Sequence, residues 1–350
     1  MPQTAYVVIG SNCFTGSHIV DALLDDPQAR VLGVSRSPEY KPVFLPYKRR
    51  PDCCRFEFRQ VDIVRHFDAL IALIDEMKPQ VVINVAALSE VALSNERPCE
   101  YFETNTLAVV KLCEHLRRRP CVKRYVHISS AEILGSCAEP VTESERFDPS
   151  TPYAVSKAAA DMYLNVLIRN FAFPAIMIRT TNVYGPHQQL YKIIPRTIIS
   201  LRHGTTVDLH GGGKAMKSFV HIRDVTRGIM AAIDCGQPGT YHFSAASDLT
   251  VADVVRIICR VLGHDFDRAT RVVEERLGQD ARYWLDCSKA ARELGWAPEV
   301  RLEDGLKEVI SWIEENWTAI MNEPHEYIHA AAHGRHSLIW PRRLPSVTVR

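Results

Sequence analysis

The chain reads as an α/β protein built on a doubly wound parallel sheet, followed by a helix-rich second part. Three observations predict this. The run Ala5-Tyr-Val-Val-Ile-Gly10 is apolar throughout, as a strand buried on both faces must be, and it leads directly into a glycine turn and a helical pattern. Strand-like runs then alternate with amphipathic segments up to about residue 180, the signature of repeated βαβ units. After Asn182 the alternation gives way to helical pieces joined by short strands.

In order, strands are predicted at Ala5 to Ile9, Arg30 to Val34, Phe56 to Val61, Val81 to Val85, Arg124 to Ile128 and Ala175 to Arg179. Amphipathic helices fall between them, near 17–25, 66–77, 99–118 and 153–171. The second part begins with helical Leu190 to His203, continues through strand-like Ser218 to Ile222 and reaches a helix over Val251 to Leu262. No internal repeat or low-complexity tract interrupts the pattern.

Composition narrows the function classes. Hydrophobic residues make up 46% of 350 positions, enough to fill two modest cores, and a net charge near +1 gives no bias toward a polyanion. Nucleic acid and membrane partners are therefore not expected. The first strand starts within a few residues of Met1 and no apolar run reaches the ~18 to 20 residues of a membrane span, so a cytoplasmic protein is expected. The ten cysteines are scattered, and Cys53-Cys54 lacks the spacing of a metal knuckle; reduced thiols follow as the default.

The chemistry concentrates in Pro152-Tyr-Ala-Val-Ser-Lys157, downstream of Ser129-Ser130 at the end of a predicted strand. A spacing of four puts Tyr153 and Lys157 on one helix face. An ammonium beside a phenol is expected to pull the tyrosine from about 10 toward neutrality, where it exchanges a proton with an alcohol. At the amino terminus, Gly10 permits a tight turn and Gly16 lets the helix pack closely, its free N–H groups facing a pyrophosphate. Cys13 stands where a middle glycine is expected, so its side chain should crowd the phosphate. The second strand ends in Ser35-Arg36-Ser37 with no acid for a ribose 2′-hydroxyl; a guanidinium and two hydroxyls suit a 2′-phosphate, which favours NADP, with NAD as the alternative if Arg36 instead stacks on adenine.

Several signposts recur in order: Gly10 to Gly16, Asn84-Val-Ala-Ala87, Glu103-Thr-Asn105, Ser129-Ser130, Tyr153-x3-Lys157, Asn182-Val-Tyr-Gly-Pro186 and Arg276-x3-Asp280-x-Arg282-Tyr. From about residue 5 to 317 the chain resembles an extended short-chain dehydrogenase/reductase of the NAD(P)-dependent nucleotide-sugar epimerase/dehydratase group, and most of all the 4,6-dehydratases. The resemblance implies a Rossmann dinucleotide-binding domain over 1–180, with a return segment near 215–245, a substrate-binding lobe mainly over 181–317, and an extension over 318–350. It also implies a homodimer acting on a nucleotide-diphosphate sugar.

The same resemblance implies cofactor contacts from Gly10, Asn12, Cys13, Phe14, Thr15, Gly16, Ser35, Arg36, Ser37, Asp62, Ile63, Ala86, Ala87, Asn105, Tyr153 and Lys157. Asp62 matches the position that caps the adenine amino group, although a helix N-terminal cap explains it equally. Substrate contacts are implied for Ser89, Ser130, Asn182, Lys192, Lys217, Arg276 and Arg282, with Lys217 where relatives usually carry arginine. Glu132 follows Ser130 by two, so in extended backbone both side chains point to one side; in the dehydratases this glutamate removes the C5 proton. The aspartate that protonates the leaving hydroxyl in glucose-type dehydratases is replaced by Ala131. The implied catalytic set is Ser130, Glu132, Tyr153 and Lys157. A 4-epimerase, a uronate decarboxylase and a non-catalytic cofactor-binding sensor are the competing readings.

Beyond Trp317, His325, His329 and His333 are four apart and would line one face of a helix. Either a metal or, more simply, a polar docking face accounts for them, and no metal is expected because no carboxylate or cysteine spacing accompanies them.

Overall fold

The apolar run at the amino terminus becomes β1 (Thr4–Ile9), whose side chains alternate between two separate cores. Val8 packs on one face of the sheet with Ile19, Val20 and Ile229, whereas Val7 and Ile9 pack on the other with Leu70, Ile74 and Leu112. The computed structural model describes residues 3–143, 146–245, 249–275 and 280–329. Strands β2 (Ala29–Ser35), β3 (Phe56–Gln60), β4 (Val81–Asn84), β5 (Arg124–Ile128) and β6 (Ala175–Thr180) follow in the chain. Short β7 (Asn182–Tyr184), β8 (Val207–His210) and β9 (Phe219–His221) precede β10 (Gly239–Phe243) and β11 (Thr270–Val273).

Among the described residues seven strands form one parallel sheet in the order β3-β2-β1-β4-β5-β6-β10. The chain direction of this order reverses between β1 and β4, and a Rossmann-like sheet opens its ligand crevice at the carboxyl ends of those two strands. Helices α1 (Phe14–Leu23), α2 (Phe67–Met77), α3 (Ala108–Leu116) and α4 (Pro152–Phe171) cover the faces. After β7, helix α5 (Ile193–Arg202) is followed by α6 (Ile222–Cys235), α7 (Val251–Leu262) and α8 (Leu302–Glu315). A third core joins α5, α7 and α8 through Ile194, Ile198, Val254, Ile258, Leu306 and Trp312. Residues of α6 and β10 instead pack with the first sheet.

Two elements depart from expectation. The first helix starts at Phe14, three residues early, because Cys13 takes the cap position and its sulfur accepts from the Gly16 N–H. The segment expected as one helix over 99–118 is broken into Pro98–Phe102, a π turn over Glu103–Leu107 and α3. That turn carries Asn105, whose side chain is drawn sideways into three hydrogen bonds. No described helix is long and apolar enough to cross a membrane. All ten cysteines lie among the described residues as free thiols.

Candidate active site

The glycine turn links the end of β1 to α1. Gly10 adopts φ +89°, and an added Cβ would lie 2.6 Å from the Ala86 nitrogen; at Gly16 an added Cβ would overlap the Gly10 carbonyl oxygen. Both positions demand glycine, and the turn so formed suits close approach of a dinucleotide pyrophosphate. Cys13 occupies one of the helix N–H groups, with Sγ 3.3 Å from the Gly16 nitrogen. Burial pushes its thiol up to about 11, so the cap is a neutral thiol and repels no phosphate. Phe14 and Thr15 form the first turn of α1.

Several expected cofactor contacts have other work to do. Asn12 gives its amide nitrogen to Ser37 Oγ (2.9 Å) and the Pro38 carbonyl (2.6 Å), accepts from the Tyr40 N–H (2.8 Å), and its own N–H binds Ser35 Oγ (3.0 Å). Its side chain therefore shapes the loop after β2. Ser35 and Ser37 accept those bonds, and each hydroxyl retains a proton to donate. Arg36 is exposed beside them. Asp62 Oδ1 accepts from the N–H groups of Val64 (2.8 Å) and Arg65 (3.1 Å) in the turn that precedes α2, whose own cap position is His66, with Ile63 buried next to it. Asn105 binds the Leu88 N–H and carbonyl and Ser156 Oγ, so it clamps the Ala86-Ala87 loop onto α4 with no side-chain polar group left over.

The reaction corner lies at the carboxyl end of β5. Thr151 caps α4 by accepting from the Ala154 N–H (3.2 Å), and Pro152 at the first helical position places Tyr153 and Lys157 one turn apart. Lys157 is 1% exposed and donates to the Ile128 carbonyl (2.7 Å), with His127 Nε2 at 3.1 Å. Burial lowers its ammonium to about 8, opposed by Asp161. Tyr153 departs from expectation: burial, followed by the charge of Glu132, raises the phenol well above its ordinary value, and the Ser130 hydroxyl only partly offsets this. The pair remains on one helix face, but desolvation and the Glu132 charge set the phenol's direction.

Ser130 and Glu132 also converge by a different route from the one predicted. Ser130 is extended, yet Glu132 sits in a tight 3-10 turn over Ala131–Leu134, and Ser130 Oγ accepts from the Glu132 N–H (3.2 Å). Burial raises the Glu132 carboxyl to about 7, against the lowering pull of Lys217. Asp280, Lys192 and Glu90 complete the charged surroundings. Lys217 donates to the Asp280 carbonyl (3.0 Å) with its nitrogen 4.0 Å from the centre of the Tyr283 ring, and burial lowers its ammonium. Asp280 accepts from Ser136, Ser150 and Tyr283. Lys192 pairs with Glu90 at 2.5 Å.

Glu90 and Asp280 were not among the predicted site residues; a carboxylate immediately after Ala-Leu-Ser gives no local signal of where a lysine about a hundred residues away will stand. Asn182 Nδ2 is a buried nitrogen without a hydrogen-bond partner among the described residues. Ser89 is exposed, and Arg282 covers the Trp284 ring at 3.6 Å. Arg276 lies outside the described residues, as does His333. The other two tail histidines are not on a helix: His325 Nε2 meets the Ile320 carbonyl (3.1 Å), and His329, 3% exposed, bridges Tyr327 and Glu100. Tyr327 packs edge-on against Tyr191 with centroids 5.3 Å apart. The tail thus docks beside the site, and no cluster suited to a metal occurs among the described residues.

A fold with this strand order, a glycine turn at its switch point and a buried tyrosine–lysine pair defines a nicotinamide-dependent short-chain dehydrogenase/reductase. Residues 6–244 match the NAD dependent epimerase/dehydratase family, and the chain belongs to it. It is 28% identical to the dTDP-glucose 4,6-dehydratase of Escherichia coli, over 90% of this chain and 96% of that protein. The structure of DesIV, a dTDP-glucose 4,6-dehydratase from Streptomyces venezuelae with NAD and TYD bound, superposes with a TM-score of 0.81 at 31% identity, covering 90% of this chain and 98% of the other. The UDP-glucose 4-epimerase of Thermotoga maritima with UDP-glucose superposes equally well, with a TM-score of 0.82 at 25% identity, covering 90% and 100%.

Proposed function

We propose that the protein is a nucleotide-sugar 4,6-dehydratase, oxidising C4 transiently, eliminating water across C5–C6 and ending with reduction at C6. The observation that carries this reading is Glu132: a carboxyl held near pH 7 beside Ser130 and Tyr153 is a base matched to an acidified carbon proton. Tyr153 takes the proton of the 4-hydroxyl, which Ser130 orients. Lys157 holds positive charge beneath the phenol. Glu132 then removes the C5 proton that a 4-ketone has made acidic. A bound nicotinamide dinucleotide supplies the hydride acceptor for C4 and the hydride donor for C6. Lys192 and Lys217 supply cations for the diphosphate or the sugar, Asn182 an unpaired amide, and Arg282 a further cation.

Exposed Arg36 with the Ser35 and Ser37 hydroxyls favours NADP. NAD is the second reading, because the S. venezuelae structure holds NAD. Titration of both dinucleotides decides: tighter NADP binding, reversed by Arg36→Asp, is expected, and equal affinities unchanged by the substitution remove the NADP preference.

A 4-epimerase is the second reading of the reaction, favoured by Ala131, which leaves no acid between Ser130 and Glu132. Incubation with UDP-, GDP-, CDP- and dTDP-sugars in heavy water separates the two. Loss of the elements of water, with one deuterium carried at C5 of a 4-keto-6-deoxy product, is expected. An isomer of unchanged mass without solvent label overturns dehydration in favour of epimerisation, and loss of carbon dioxide in favour of decarboxylation.

A further inference from the structure

The buried lysine of the reaction corner does not stand alone. His127, the fourth residue of β5 and 0% exposed, places Nε2 3.1 Å from Lys157 Nζ. An ammonium has only protons to give, so the imidazole nitrogen facing it must carry a lone pair. The ring proton then resides on Nδ1, 3.4 Å from the Tyr125 hydroxyl oxygen. The same oxygen receives the Asn84 amide (3.3 Å), and with two bonds accepted its own proton is directed to the buried Cys113 thiol. Asn84 is fixed in turn, since its Oδ1 accepts from the Ala86 N–H (3.2 Å). Every donor in this chain has an acceptor in one arrangement, and that arrangement selects a single tautomer of His127.

We infer that His127 is a positioning residue for Lys157, locked by Asn84 and Tyr125 as the Nδ1–H tautomer so that Nε2 accepts from the ammonium and aims it at Tyr153. With the Ile128 carbonyl taking a second Lys157 proton, the third is left for the side on which substrate and cofactor bind. The network ends at a buried thiol, so it anchors the lysine and does not conduct protons to water. Ionisable groups around Lys157 come from every neighbouring element: Tyr153 and Asp161 on α4, His127 and Tyr125 on β5, and Cys113 on α3. Arg179 on β6 is paired with Asp161 (3.0 Å), and Glu132 faces Tyr153 from the turn after β5. Among the described residues, His127 is the neutral group that bonds the ammonium directly through a side chain. Burial and the lysine charge hold its imidazole far below its ordinary value, consistent with a ring that stays neutral throughout turnover.

The proposal rests on the assignment of Tyr153 and Lys157 to C4 oxidation, so the test has one part that needs no substrate. In the unmodified protein, nitrogen-15 NMR of the histidines should give His127 a protonated Nδ1 and an unprotonated Nε2; a protonated Nε2 overturns the proposal. In His127→Phe, the lysine loses an acceptor for its charged form, and the Lys157 titration, followed by carbon-13 NMR, should move down by about one unit. With a substrate in hand, kcat of His127→Phe should fall roughly tenfold and its alkaline limb should move to lower pH, because the lysine loses its charge earlier, while KM changes less than about twofold. His127→Gln, whose amide oxygen reaches the place of Nε2, should restore most of both. An unchanged Lys157 titration and an unchanged pH profile in His127→Phe overturn the role. If His127→Phe does not fold, Tyr125→Phe, which keeps the imidazole and removes its Nδ1 acceptor together with the acceptor of the Asn84 amide, must show a smaller shift in the same direction, and no shift overturns it. Absence of turnover by the unmodified protein on every sugar would refute the dehydratase reading and leave both NMR outcomes legible.

Discussion

The dinucleotide turn and the reaction corner are built on opposite physical plans. In the turn the polar side chains are held by neighbouring protein groups: Asn12 by Ser37 and Pro38, Asp62 by the N–H groups of Val64 and Arg65, Asn105 by Leu88 and Ser156, Cys13 by Gly16. What remains for a ligand at the glycine turn is shape, backbone N–H groups and the missing Cβ atoms at Gly10 and Gly16, with the exposed Arg36 and the Ser35 and Ser37 hydroxyls at the end of β2. At the reaction corner Glu132, Lys217, Asp280, Lys192 and Glu90 crowd into one partly buried place, and burial moves Glu132 and Lys157 toward neutrality from opposite sides. The first region recognises by fit. The second works by keeping charges in a medium that makes their ionisation expensive.

Substitutions in each region should therefore fail in different ways. The largest effect is expected at Tyr153: Tyr153→Phe should lower kcat by about 10²- to 10⁴-fold with Tm and dinucleotide affinity preserved. Residual activity above about a tenth of the unmodified enzyme would move the proton acceptor elsewhere. Next comes pH. Glu132 is a base only above about 7 and Lys157 is charged only below about 8, so turnover should pass through a narrow maximum between them, falling tenfold per unit on the acid side. Glu132→Gln should still reduce the cofactor transiently on mixing with substrate, without releasing water. Stopped-flow absorbance and product mass read the two steps separately, and water release by this variant would exclude Glu132 as the base.

In the turn, Gly16→Ala should weaken dinucleotide binding and cost about 1–3 kcal/mol of stability, through overlap with the Gly10 carbonyl, while leaving the pH profile of the residual activity in place. A shifted profile would mean that the two regions are not separable. The smallest effect is expected for Cys13→Gly. Freeing the Gly16 N–H should tighten dinucleotide binding by roughly threefold, and losing the cap should lower stability by less than ~1 kcal/mol. Weaker binding would show that the thiol cap helps to form the anion site.

The sequence alone determined the sheet, the glycine turn and the tyrosine–lysine helix, because each depends on a pattern only a few residues long. Apolar β1 had to be central, Gly10 and Gly16 had to be glycines, and a spacing of four had to share a helix face. The start of α1 was legible within three residues, its early onset hidden in a cysteine acting as a cap. Ser130 and Glu132 were recognised as partners, although a serine-capped turn and not an extended strand brings them together. What only the tertiary structure decided is the electrical state of the site. Burial of Tyr153 overrode the expected effect of Lys157, and the carboxylates Glu90 and Asp280 reached Glu132 from segments far apart in the chain. Asn12 and Asn105, implied as cofactor contacts by the resemblance, also use their side chains as clamps between loops, which no local pattern announced. Desolvation and long-range pairing depend on which segments fold over a residue, and no local pattern encodes that.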